Sequence, residues 1–252
     1  ITNLEDISLD EMVSGVLEEL DSERFDLGFI QCINPHSFSV ALKDEDFKES
    51  FYKAKRILVD GVGIALYSKF ILCKKLTRIT GYDFFFSLSK ELNKVDKKYK
   101  IFFLGSTTEV LAKIFDKYSL EFSNLDVCGT YSPPIYNELE EVNWTECLNL
   151  IEESKPDILW VGLTAPKQEK WMNHFHKISN SRVMVGIGAV FDFYSGNKPQ
   201  SPKFISKLGL EWLFRFISEP RRLWRRVFIS NPIFLYRMLR YKFMDYLKKG
   251  GD

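Results

Sequence analysis

The feature that most constrains this fold is an alternation of two residue patterns along the chain. Short, continuously apolar runs recur at Arg56-Ile-Leu-Val, Lys100-Ile-Phe-Phe-Leu, Leu125-Asp-Val-Cys, Asp157-Ile-Leu-Trp-Val and Arg182-Val-Met-Val-Gly-Ile, with another at about 27–33. Each is closed by Gly, Asp or Asn. A run that is apolar at every position, rather than at every second one, reads as a strand buried on both faces. Between the runs lie amphipathic stretches at about 62–71, 81–94, 107–118, 136–153 and 166–178. Strand–helix alternation of this kind predicts an α/β fold, a mostly parallel Rossmann-like sheet with helices on both faces. A leading helix is expected over 9–21, where Ser8 and Glu11 form a capping box ahead of Met12, Val16, Leu17 and Leu20.

Composition enters as a filter. At 252 residues, 45% hydrophobic and 27% charged, the chain is outside the disordered, collagen-like and disulfide-miniprotein classes. No Gly/Ser/Pro-rich linker divides it, so one catalytic α/β domain over 1–219 with an appendage over 220–252 is the expected organisation. The longest stretch free of Asp, Glu, Lys and Arg, Leu27 to Leu42, contains Gln31, Asn34, Pro35 and His36. It is shorter than the roughly 18–20 apolar residues of a membrane span, so no transmembrane helix is expected. The acidic start, without an apolar h-region, predicts no secretory leader and a cytoplasmic location. Cys32, Cys73, Cys128 and Cys147 form no CxxC pair, which suits reduced thiols better than a disulfide framework or a zinc site.

Charge is distributed unevenly. Residues 220–252 hold nine Lys and Arg against two Asp, a net of +7, so the other 219 residues carry −6. Between Leu223 and Leu247 the basic residues interleave with Trp224, Phe228, Phe234, Leu235, Met238 and Tyr241, among other apolar side chains. A basic amphipathic helical appendage of this composition predicts contact with an anionic membrane surface more than with nucleic acid. Packing of the apolar residues on the body is the competing expectation. In the membrane reading, the tail docks only when a membrane is present.

Ligands of open α/β sheets bind beyond the carboxyl ends of the strands, so the residues closing the apolar runs are the candidates. Val59-Asp60-Gly61-Val62-Gly63 puts a carboxylate in a glycine turn, suited to a general base or to a helix cap. Cys32-Ile33-Asn34-Pro35 offers an amide at a strand end. Ala165-Pro166-Lys167-Gln168-Glu169 has the look of a helix start whose free amides could face an anion. Gly186-Ile-Gly188-Ala-Val-Phe-Asp192 is half a dinucleotide fingerprint, lacking the third glycine. It keeps open the alternative of a nucleotide-dependent oxidoreductase, beside a non-enzymatic membrane-surface adaptor. Asp44-Glu45-Asp46 reads as a solvated helix start, and His174 and His176 would point to different helix faces. No metal site and no cofactor are therefore expected.

Six blocks together resemble one family: Val59-Asp60-Gly61-x-Gly63, Arg78-Ile-Thr-Gly81-Tyr-Asp83, Phe103-Leu-Gly-Ser106, Ala165-Pro-Lys-Gln-Glu-Lys-Trp171, Gly188-Ala-Val-Phe-Asp192 and Leu208-Gly-Leu-Glu-Trp-Leu-Phe-Arg215. They are similar to the WecG/TagA/CpsF glycosyltransferases of bacterial cell-envelope polysaccharide synthesis, from about residue 27 to about 228. The resemblance implies inverting, metal-independent transfer of a sugar from a UDP donor to a polyprenyl-diphosphate-linked sugar acceptor, by an enzyme held at the inner face of the plasma membrane. It implies Asp60 as base, with Arg215, Arg222 and Arg225 closing over the site, where guanidinium suits a departing diphosphate. Asn34, Arg78, Asp83, Gln168, Asp192 and Cys32 fall on substrate-pocket positions, Asn34 and Gln168 toward sugar and Asp192 toward nucleoside. Association into homo-oligomers stays open.

Two departures stand out. Cys32 occupies a place where some members have Thr, a better hydrogen-bonding group. Gly196-Asn-Lys-Pro-Gln-Ser-Pro202 replaces Gly-x-x-Lys-Arg-Ala-Pro, so an Arg is missing. The loss favours a neutral donor sugar, N-acetylmannosamine-type or glucose-type, over a uronate.

Overall fold

The computed structural model describes residues 4–22 and 28–249. Six parallel strands, β1 (Phe29–Ile33), β2 (Arg56–Val59), β3 (Lys100–Gly105), β4 (Asp126–Tyr131), β5 (Ile158–Gly162) and β6 (Val183–Gly186), form one sheet in the order β2-β1-β6-β5-β3-β4. The six expected runs are the six strands, except that residue 27 lies outside the described residues. Burial on both faces is met in the centre, where Ile158, Leu159, Trp160 and Val161 are all fully buried. At the edges it relaxes, most clearly in β4, whose residues are exposed or half-buried.

Period-two alternation divides the core. Ile101, Phe103, Ile158 and Trp160 face one layer with α1 (Leu9–Asp21), α5 (Gly81–Leu92), α6 (Thr108–Glu121) and α9 (Val190–Tyr194). Phe102, Leu104, Leu159 and Val161 face the other, with α7 (Thr145–Ser154) and α8 (Lys167–Phe175). The capping box at α1 is complete, with Glu11 N–H donating to Ser8 Oγ at 3.2 Å and Ser8 N–H to Glu11 at 2.8 Å.

Three differences from the sequence expectation have physical causes. The stretch 136–153 is α-helical only from Thr145, after one 3-10 turn at Leu139–Glu141, because Tyr136, Val142 and Trp144 turn into the core while Asn143 Oδ1 accepts from Thr145 N–H. Residues after β1 form a further helix, α2 (Pro35–Ala41), capped by Asn34, while α3 (Glu45–Lys53) starts at Asp44 as expected. Asp44 also pairs with Lys170 at 2.8 Å. Third, the appendage packs part of its apolar surface on the body.

After α10 (Lys203–Lys207) and α11 (Glu211–Ser218), that appendage comprises α12 (Pro220–Arg225), a π-helical turn (Arg226–Ser230) and α13 (Asn231–Lys249). Phe234 and Met238 of α13 enter a core of their own with Ile33, Val59, Ile64 and Tyr67, which draws on the strand ends and α4 (Val62–Phe70). Ser39 Oγ donates to Ser230 O at 2.9 Å, and His36 Nδ1 lies 2.8 Å from Ser230 Oγ. Phe234 and Met238 are buried, while Phe228, Leu235, Tyr236, Leu239 and Phe243 are exposed. Among the described residues no helix is long and apolar enough to cross a membrane.

Candidate active site

Strand ends on both sides of the sheet's centre converge on a cleft of about 650 Å³. β1 brings Cys32 and Asn34, the turn after β2 brings Asp60, β5 leads to Leu163 and Thr164, and β6 leads to Ile187 and Gly188. α11 adds Glu211 and Arg215 to the lining, and the appendage adds Arg222 and Arg226.

Asp60 sits just past β2, its N–H donating to Ile33 O at 3.0 Å. Gly61 follows without a side chain because a Cβ there would meet Pro35 Cδ at 2.7 Å. Asp60 is half-buried and lines the cleft, yet protein surrounds its carboxyl. Burial and then the neighbouring Glu211 push it up to about 7, against the pull of Arg215 and Arg78. A carboxyl there changes charge near neutrality, as a general base requires.

A second carboxyl, Glu169 of α8, also lines the cleft. It is 3% exposed, and burial pushes it up to about 7 against the attraction of Arg226. Its Oε1 accepts from Gln168 Nε2 at 3.3 Å, whereas Oε2 is buried without a partner. A buried acceptor with no donor is costly unless a ligand supplies one.

The cations are crowded. Burial lowers Arg226 to about 10, helped by repulsion from Arg215 and Arg222 and opposed by Glu169 and Glu219. Arg215 lies over the Phe193 ring at 5.1 Å, with its buried Nε unpartnered. Arg222 donates to Glu219 at 2.6 Å. Guanidiniums held this close favour an anion between them.

The other candidate residues are distributed as follows. Asn34 lines the cleft, but Oδ1 accepts the His36 and Ser37 N–H groups at 3.0 Å, leaving its Nδ2 for a ligand. Gln168 is buried with Oε1 accepting from Gly188 N–H at 2.8 Å, so it fixes the β6 turn, where Gly188 adopts φ +57°. Cys32 directs its thiol to Gly186 O at 3.5 Å, and burial raises its pKa, so it behaves as a small core residue at the cleft floor. Asp83 is exposed at the cleft and accepts from Thr80 Oγ1 at 2.6 Å. Asp192 pairs with Lys198 at 2.5 Å, and Lys198 reaches Glu219 at 3.1 Å. The cation of the loop that lacks the Arg is therefore held between two carboxylates.

Two expected site residues are not brought to the cleft. Arg225 is exposed, 5.4 Å from the Trp224 ring, and lines no cavity described here. Its neighbour Arg226 points inward instead, because Arg222 and Arg226 are four apart and share a helical face. Arg78 is tied to Glu211 at 2.6 Å and Ser206 O at 3.3 Å, and faces an adjoining groove. Arg226, Glu169 and Glu211 were absent from the sequence-derived set. The four-residue spacing from Arg222 was the available signal for Arg226, whereas nothing local marks Glu169 as unpartnered.

The adjoining groove, about 520 Å³, runs between α4 and the appendage. Asn34, Asp60, Glu211, Arg215 and Arg226 line both it and the cleft. Among the described residues no group of three or more His, Cys, Asp and Glu is arranged to hold a metal ion.

Fold and site together define an α/β protein whose cleft gathers carboxyls and guanidiniums at the carboxyl edge of a parallel sheet. The chain belongs to the glycosyl transferase WecG/TagA/CpsF family, which it matches over residues 2–248. It is a glycosyltransferase. Among curated relatives, the N-acetylglucosaminyldiphosphoundecaprenol N-acetyl-beta-D-mannosaminyltransferase of Bacillus spizizenii is 33% identical over 215 residues, covering 85% of this chain and 79% of the relative. The Bacillus subtilis protein of the same name is 31% identical over 211 residues, 84% and 78% of the two chains. A Staphylococcus aureus counterpart is 28% identical over 216 residues, 85% and 80%.

Proposed function

We propose that this chain transfers an N-acetylmannosamine-type sugar from UDP to a sugar carried on polyprenyl diphosphate, with inversion, at the inner membrane face. The observation that carries the reading is Asp60, a carboxyl raised to about 7 where the polar cleft and the groove meet, beside Arg215. In a single displacement, Asp60 takes the proton from the acceptor hydroxyl as that oxygen attacks the anomeric carbon. The bond to the UDP oxygen breaks, and the electron pair leaves with the diphosphate. Arg215, Arg222 and Arg226 meet the charge that develops there, as preorganised donors do in a water-poor site. No metal ion is invoked in this scheme. Asp60 is preferred to Glu169 as base because Glu169 lines the cleft but not the groove. The names of the relatives support the N-acetylmannosamine donor over the glucose-type one, and Lys198 beside Asp192 is already neutralised rather than free for a uronate.

Peripheral membrane contact is part of the same proposal, supported by the exposed Phe228, Tyr236 and Phe243 among the basic residues of the appendage. The test is UDP release from a panel of UDP-sugars, with and without a polyprenyl-diphosphate-linked N-acetylglucosamine in vesicles. Acceptor-dependent release with UDP-N-acetylmannosamine is expected. Release with none of the donors overturns the reading.

A further inference from the structure

The groove beside the cleft has a division of character that the transfer reaction alone does not require. Its walls are apolar, formed by Leu66, Tyr67 and Phe70 of α4 facing Phe234, Leu235 and Met238 of α13. Its charged groups, Asp60, Arg78, Glu211, Arg215 and Arg226, belong to the end shared with the cleft or adjoin it. At the outer end Leu66, Phe70, Leu235 and Leu239 are exposed. A passage that is cationic at its inner end and apolar along its length complements an amphiphile with an anionic head and a hydrocarbon tail.

We propose that this groove is a binding subsite for the polyprenyl chain of the acceptor, taking its diphosphate-proximal isoprene units between α4 and α13 with the diphosphate toward Arg78, which lines the groove but not the cleft. The inference rests on the transfer reading above and adds that the enzyme recognises the lipid chain itself, not only the sugar. Two features favour this occupant. The groove opens into the cleft at Asp60, so a chain lying in it delivers its sugar hydroxyl to the base. Arg78 lines the groove and not the cleft, and its buried Nε has no hydrogen-bond partner, so the groove holds a cation that the departing UDP does not use. A lipid acyl chain, or empty solvent, would exploit the walls but not the cationic end. The groove exists only because α13 is docked, which makes the appendage a wall of the acceptor site as well as a surface contact.

The experiment has two arms. In the first, transfer is measured with acceptors carrying a methyl, a farnesyl or a long polyprenyl group on the same sugar diphosphate, in detergent. KM is expected to fall at least tenfold from methyl to farnesyl. Leu66→Trp, which fills the groove from an exposed position, should raise KM tenfold for the farnesyl acceptor, with kcat and methyl-acceptor KM unchanged. Leu235→Glu should do the same by placing a charge in the wall. In the second arm, farnesyl diphosphate bearing a benzophenone is photocrosslinked to the full chain and the labelled peptides are mapped. Labels on α4 and α13 are expected, and excess inorganic diphosphate should reduce them by competing at the head.

Chain-length-independent KM, or labels confined to the exposed face around Trp224 and Phe228, overturns the groove while leaving the transferase reading intact. Labels in the groove without transfer to any acceptor preserve the groove and overturn the transfer reading. Vesicle sedimentation of Leu66→Trp is expected to match the wild type; a loss of sedimentation parallel to the KM effect would assign the effect to membrane contact and overturn the proposal.

Discussion

Replacing Asp60 with Asn separates the energetic cost of the site from its chemistry. The carboxyl has an ordinary value of 3.8 and stands at about 7 in the folded chain, with burial as the leading cause. Between those values the folded chain binds more protons than the unfolded chain, so this group's contribution to stability falls as pH rises from about 4 to about 7. At about 1.4 kcal/mol per pH unit, the ceiling on that cost at pH 8 is about 4 kcal/mol. Solvent at the open cleft edge reduces the expected figure to about 2–3 kcal/mol. Asparagine carries no charge at any pH. Asp60→Asn should therefore match the wild type in stability at pH 4.5 and exceed it by about 2–3 kcal/mol at pH 8, measured by urea unfolding followed through tryptophan fluorescence. The same preparations should lose transfer by about 10²–10⁴-fold, the usual contribution of a positioned acid–base group. A stability difference that does not change between pH 4.5 and 8 would refute the buried carboxyl. Transfer above a tenth of the wild-type rate would remove Asp60 as the base.

Further outcomes follow from the same geometry. Arg226→Ala should lower kcat/KM by about 10–100-fold, as losing a charge-assisted phosphate contact does, while Arg225→Ala changes it less than threefold; equal losses in steady-state assays would contradict the assignment of the inward arginine. His36, held down at about 4 mainly by burial and then by Arg226, has a folded value below its unfolded one. Its contribution to appendage docking is therefore lost as pH falls from about 6.5 toward 4, and α13 amide exchange at pH 5 should exceed that at pH 7.5 after correction for intrinsic rate. His36→Asn should flatten this difference. Gly186→Ala would place a Cβ 2.5 Å from Gln168 Nε2 and 2.6 Å from Met172 Cε. It should cost about 1–3 kcal/mol in thermal unfolding, with a loss of transfer as Gln168 leaves Gly188; unchanged activity would show that Gln168 does not position that turn.

Much of this molecule was legible in order along the chain. Continuous apolar runs such as Ile158-Leu-Trp-Val give a buried parallel strand because neighbouring side chains must satisfy opposite faces. Ser8 and Glu11 give the start of α1 because their hydrogen bonds span three residues. Asp60, Asn34 and Cys32 could be named as cleft residues because strand ends in such sheets converge. What the sequence could not decide depended on contacts between distant segments. The order β2-β1-β6-β5-β3-β4 depends on which strands pair across the sheet. Whether Arg225 or Arg226 turns inward depends on the seat of α13 against α2 and α4. Only the tertiary arrangement gives Asp60 its burial beside Glu211, 151 positions away in the chain, and so a carboxyl that titrates near neutrality. Local pattern fixes which atoms a segment can offer, whereas desolvation and charge pairing are properties of the space that the packed chain encloses.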